Sequence, residues 1–163
     1  MKLKILAVIA VLAGFGALVC AEDLKMNDMK IGSTEVDGRL VDDIDLPFVN
    51  DPAVLGEWRS VDFVREPGDF EPGKRGSRVD LYLKAMKFLP EGAMAWAIEG
   101  GPIKVLPWMA WTKGVVLHRG GDHSASRYSI REIKGVKYMF FEWKSGDYII
   151  RHRKPEYYVL KKI

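Results

Sequence analysis

The chain has 163 residues, 48% hydrophobic and 29% charged, with a formal net charge of +3. This is enough for one compact domain with a real core, and the balance is ordinary for a soluble globular protein. Cys20 is the only cysteine, which excludes a disulfide framework.

The first residues stand apart. Lys2 and Lys4 precede an unbroken small and apolar run over 5–19, and Val19-Cys20-Ala21 offers small residues at the −3 and −1 positions before Glu22. These are the three parts of a secretory signal peptide, assigned to 1–21, with a secreted or periplasmic destination. An uncleaved anchor is the weaker reading, because the run is short for a membrane span. Lipidation of Cys20 is the second choice, since Val19 fits poorly where a small residue is expected. Cleavage removes Lys2, Lys4 and no acid, so the exported chain is nearly neutral and nucleic acid is not an expected partner.

Residues 22–50 are polar and acidic, with Glu35, Asp37, Asp42, Asp43 and Asp45. They read as a short leader, partly disordered, with its first twenty or so residues mobile and those just before Asp51 ordered. In a sharper version the leader docks on the basic stretch of Arg151, Arg153 and Lys154, anchored by Leu46 and Phe48 beside Pro47.

From Asp51 onward the chain reads as hairpin after hairpin. The predicted strands are 56–65, 79–89, 93–98, 107–118, 124–133, 136–143, 147–153 and 156–162. A Gly- and Pro-rich loop over 66–78 follows the first. Turn signals separate the others, among them Pro90-Glu91-Gly92, Lys134-Gly135 and Lys144-Ser145-Gly146. Short strands rich in β-branched and aromatic residues argue an all-β domain over 51–163. Consecutive short turns favour an antiparallel, eight-stranded up-and-down barrel, whose closure removes exposed edges.

Asp51-Pro52-Ala53-Val54-Leu55 leading into Gly56-x-Trp58 resembles the entrance to the first barrel strand of lipocalins and related calycins. The order of features, a turn, a Gly-x-Trp strand, one long loop and then short hairpins, is similar to that family too. The resemblance covers the last two thirds of the chain and implies that Trp58 closes one barrel end with a basic residue over its face. Gly56, Trp58 and Arg151 are assigned to that closure. It also implies that the 66–78 loop hangs over the open mouth. Trp111-Thr112-Lys113-Gly114 and 139–147 further resemble a small bacterial lipocalin-like domain that stands alone or is appended to membrane-bound sensor and antirepressor proteins.

The strongest functional hint is a set of soft and aromatic side chains suited to an adaptable apolar pocket. Trp58, Met86, Trp96, Trp111, Tyr128 and Trp143 are assigned to ligand contact, with Ser60 and Asp62 on the phase of Trp58. An inward Asp62 would orient a ligand or pair with Lys84, Lys113 or Arg151, because a buried carboxylate needs a partner. If the phase flips after Trp58, Asp62 is instead solvated. His118 and His123 bracket a turn and with Asp122 make only a thin metal site, so no metal or cofactor is expected. No phosphate loop, metal-ligand motif or nucleophile elbow is present, so no catalytic role is assigned. Two functions lead, ahead of a hydrolase or isomerase in a barrel: an exported barrel, monomeric, binding a small apolar molecule, and a filled barrel acting as a protein-interaction or sensory module of the cell envelope.

Overall fold

The computed structural model describes residues 31–76, 81–121, 123–144 and 156–163. Its strands are β1 Ser33–Val36, β2 Arg39–Asp42, β3 Gly56–Val64, β4 Leu83–Phe88, β5 Ala93–Ile98, β6 Lys104–Thr112, β7 Val115–His118, β8 Ser124–Ile133, β9 Val136–Trp143 and β10 Glu156–Lys162. The first two form a separate hairpin, and the other eight close into an antiparallel barrel in the order β10-β3-β4-β5-β6-β7-β8-β9. Closure is made by β10, which pairs with β3 on one side and β9 on the other.

Eight strands were expected and eight close the barrel, but they are partly different strands. The predicted strand 107–118 is a hairpin, β6 and β7, turned at Lys113-Gly114 between the paired Thr112 and Val115. Gly114 adopts φ +77° there, which a glycine reaches without the steric cost of a Cβ. The predicted strand 147–153 lies outside the described residues, as does the signal segment 1–21. The predicted strands 93–98, 124–133, 136–143 and 156–162 form as read.

Part of the leader is also regular. Asp37-Gly38, with φ of +50° and +74°, makes the two-residue turn of the β1–β2 hairpin, the geometry that suits the natural twist of paired strands. From Asp42 the chain straps down the outside of the barrel. Ile31, Ile44 and Leu46 pack on Val115, Leu117 and Ala125 of β7 and β8. Phe48 then packs edge-on to Trp111 at 5.3 Å. Leu46 and Phe48 therefore anchor this segment as expected, but on the β6–β8 wall. The basic stretch proposed as its dock lies outside the described residues.

The barrel wall has two apolar faces. The interior holds Trp58, Leu83, Met86, Phe88, Met94, Met109, Trp111, Val116, Tyr128, Met139, Phe141, Tyr158 and Leu160. The alternate residues Tyr138, Phe140, Tyr157 and Val159 point outward with Val64 and are covered by Phe70 from the long loop. Period-two alternation explains both sets, since successive side chains on a strand face opposite ways.

Candidate functional site

One barrel end is closed by side chains and by the chain entering β3; it is the base. Trp58 is fully buried there, and its indole N–H donates to Val54 O at 2.6 Å. The ammonium of Lys162 lies 5.1 Å from the Trp58 ring centroid and donates to Ala53 O at 2.8 Å. Lys162 is thus a basic residue over the closing tryptophan; Arg151, assigned to that role from the sequence, lies outside the described residues. Burial holds the Lys162 ammonium below the usual lysine range, with Lys137 adding repulsion and Asp51 opposing both.

Trp111 completes the base. Its indole N–H is shared between Leu89 O at 2.8 Å and Ala93 O at 2.9 Å, so the 89–93 turn is tied to the plug. Gly92 in that turn has φ +82°, and a Cβ there would sit 3.0 Å from Trp111 O and 3.2 Å from Phe48. Thr112 receives Val49 N–H and donates to Pro47 O. The Tyr128 hydroxyl donates to Asp51 Oδ2 at 3.1 Å, with Thr112 O 3.4 Å away. Burial is the main reason its phenol titrates far above the usual tyrosine range, and Asp51 adds to it.

At the other end, the mouth, the interior opens into a pocket of ≈ 120 Å³. Trp96, Met109, Val116, Phe141 and Trp143 give it an apolar wall; His118, Ser124, Ser126 and Lys144 give it a polar one. Trp143 is the centre of an aromatic cluster, with Tyr158 at 5.1 Å, Trp96 and Tyr82 at 6.2 Å and Phe141 at 6.4 Å between ring centroids. An apolar cavity of about 150 Å³ is known to hold one benzene ring, so this volume suits a single ring or short chain. Among the described residues no group of three His, Cys, Asp or Glu side chains could hold a metal.

The sequence-assigned contact residues therefore divide. Trp96 and Trp143 line the pocket. Trp58, Met86, Trp111 and Tyr128 sit in the packed interior, with Trp58 and Trp111 at the base. Ser60 lies opposite Leu160, with its hydroxyl oxygen buried and without a hydrogen-bond partner among the described residues.

At Asp62 the phase does flip after Trp58, as the second sequence reading had it, but the carboxylate is not solvated. The β3–β10 register shifts between Val159 and Leu160, which face Asp62 and Ser60, so Val61 is an extra residue. After this bulge Phe63 packs inward on Tyr158, at 4.8 Å, and Asp62 shares the outward phase of Val159. Outward does not mean solvated here: Asp62 is 1% exposed. Its carboxylate receives Phe63 N–H and Gly76 N–H, each at 2.8 Å. It pins the long loop to the wall. Phe70 of that loop packs on Tyr138 at 4.9 Å and Phe140 at 5.9 Å. The described part of the loop, 66–76, therefore clads the outer wall, where the sequence reading had it gate the mouth.

Met109, Val116, His118, Ser124, Ser126, Phe141 and Lys144 also line the pocket and are not among the contact residues assigned from the sequence. The signal for two of them was available. Tyr128 and Ile130 alternate with Arg127, Ser129 and Arg131, and extending that alternation backward puts Ser126 and Ser124 on the inner face. His118 pairs with Ser124 across the β7–β8 hairpin, which places it on the same face.

The architecture is an eight-stranded antiparallel closed barrel, consistent with a lipocalin-like or calycin fold. No protein-family description, curated protein or solved structure matches the chain.

Proposed function

We propose that this protein is an exported binding barrel that holds the apolar part of a small molecule in its mouth. A ring or short chain lies against Trp96, Phe141 and Trp143, and one polar group points toward His118, Ser124, Ser126 or Lys144. The observation that carries this reading is the meeting of an apolar and a polar wall around one opening, above an interior otherwise filled with side chains. Such a site takes its affinity from apolar burial and its orientation from a few polar groups.

The test is 19F NMR titration with 4-fluorophenol, a single ring with one polar group. Saturable binding near 1 mM is expected, equivalent to about −4 kcal/mol. That is roughly 0.5 kcal/mol per non-hydrogen atom, within the range small ligands reach. Trp143→Ala should weaken it at least tenfold. Absence of saturable binding by this probe and by a panel of short-chain alcohols and acids rejects the reading. Export is tested by the mass of the protein recovered from outside the cytoplasm, which should begin at Glu22.

A second reading has its own support. Ile103, Val105 and Trp108 at the start of β6 are exposed, Val105 by 62% and Trp108 by 46%. Between these residues β6 bulges away from β5, whose Ala93 faces Ala110 while Ala95 faces Val105. An apolar rim of this kind suits an interaction module of the cell envelope. Failure of every small probe, together with loss of cross-linking to an envelope protein on Trp108→Ala, would favour it.

A further inference from the structure

Among the described residues, the side wall of the mouth pocket between β8 and β9 is not built from paired strands along its whole length. The β8–β9 ladder runs from Ile133↔Val136 to Tyr128↔Phe141 and stops there. Both strands continue, β8 back to Ser124 and β9 on to Trp143. Along this stretch side chains replace the missing strand partner. Arg127 N–H donates to Glu142 Oε2 at 2.9 Å. Ala125 N–H donates to Asp42 Oδ2 at 2.9 Å, and Ala125 O accepts from Lys144 Nζ at 2.7 Å. Lys144 Nζ also donates to Asp42 Oδ2 at 3.0 Å, closing a triangle.

The position of this seam matters. Ser124 and Ser126 on its β8 side, and Phe141, Trp143 and Lys144 on its β9 side, all line the pocket. A backbone ladder opens only if two strands part along their length. A side-chain clasp opens by rotamer changes, with each freed backbone group passing to water at little cost. Asp42 is also the last residue of the β1–β2 hairpin, whose tie to the barrel at this point is Asp42 N–H to His123 O at 3.2 Å. The Asp42–Lys144 pair is only partly buried, with side chains 14% and 17% exposed, so its strength is screened rather than absolute.

We infer that the β8–β9 seam is a side entrance to the mouth pocket and that Asp42, carried by the N-terminal hairpin, is its latch. The inference rests on reading the pocket as a ligand site. Lys144 links the two, because the same ammonium lines the pocket and holds Asp42. Access to the pocket is thereby coupled to docking of a segment that lies outside the barrel.

Asp42→Asn tests this, since Asp42 does not line the pocket and the amide keeps an acceptor for Ala125. For 4-fluorophenol, 19F relaxation dispersion should show binding and release both about tenfold faster, with Kd changed by less than twofold. In the ligand-free protein, amide exchange at Ala125 should quicken about tenfold, while Tyr128 to Ile133 stay as slow as before. Lys144→Gln provides a second variant for the exchange measurement. Binding with unchanged rates and an unchanged Ala125 amide defeats the entrance and leaves the pocket reading intact. Absence of 4-fluorophenol binding to the unmodified protein defeats the pocket reading and the entrance with it.

Discussion

The base and the mouth of this barrel are closed by different chemistry. At the base, backbone ladders meet a solid plug. Gly56 to Arg59 pair with Ala85 to Phe88, Trp111 and Thr112 pair with Val116 and Val115, and Trp58, Phe88 and Trp111 are almost wholly buried. At the mouth the strands splay. β3 leaves β4 after Arg59, and Leu83 N–H takes the Tyr158 hydroxyl at 3.3 Å in place of a strand carbonyl. β8 leaves β9 above Tyr128. The comparison separates two tasks: close packing at one end supplies stability, and side-chain clasps at the other leave room and freedom for a guest.

Truncation of the base should show the largest effect. Trp58→Ala is expected to cost about 3–5 kcal/mol in denaturant unfolding, because it empties the plug and removes the bond to Val54 O. Trp143→Ala, at the half-buried mouth, should cost less than half as much while abolishing most probe binding. If the two substitutions destabilise equally, the division of labour fails.

Next in size is the outer clasp. Asp62→Ala should cost about 2–3 kcal/mol, leaving Phe63 and Gly76 N–H groups without their carboxylate. It should also expose the 66–76 loop to limited proteolysis at unchanged probe affinity, since the loop clads the wall and not the pocket. A fall in affinity would restore the loop to the mouth.

Alkaline pH should act mainly through the buried phenols. Tyr128 and Tyr158 titrate above the ordinary value in the fold, mainly because of burial. The unfolded chain then loses protons first, so stability is full below the unfolded tyrosine value near 10 and falls as pH rises through and beyond it. Each phenol kept neutral adds about 1.4 kcal/mol of loss per pH unit. Tyr128→Phe should flatten the slope between about pH 10 and 11.5 more than Tyr158→Phe.

The smallest effect is expected at Lys162. Lys162→Met loses the contact with the Trp58 ring and the bond to Ala53 O but escapes the burial of a charge. A net cost of about 0.5–1 kcal/mol, read from the unfolding midpoint, would fit closure carried mainly by the tryptophan.

Much of the barrel was legible residue by residue. Gly56-x-Trp58 marks the closed end, and Lys134-Gly135 the β8–β9 turn, where φ of +53° and +76° suits a two-residue hairpin. The equivalent Lys113-Gly114 was passed over because apolar residues on both sides hid the break, and Asp37-Gly38 because its surroundings are acidic and look unstructured. The pocket was half visible. Trp96 and Trp143 stand out by residue type, whereas Ser124, Ser126, His118 and Lys144 are ordinary surface types until the barrel curls them to one end.

Local patterning determined the all-β class, most of the strands and which residues are inward on β8, because side-chain alternation is a property of each strand alone. Tertiary structure decided the rest. The bulge that turns Asp62 outward exists only in register with β10, the seam exists only where β8 and β9 part, and the Asp42–Lys144 clasp joins residues 102 apart. Each depends on where one strand lies against another, and no stretch of the chain carries that information by itself.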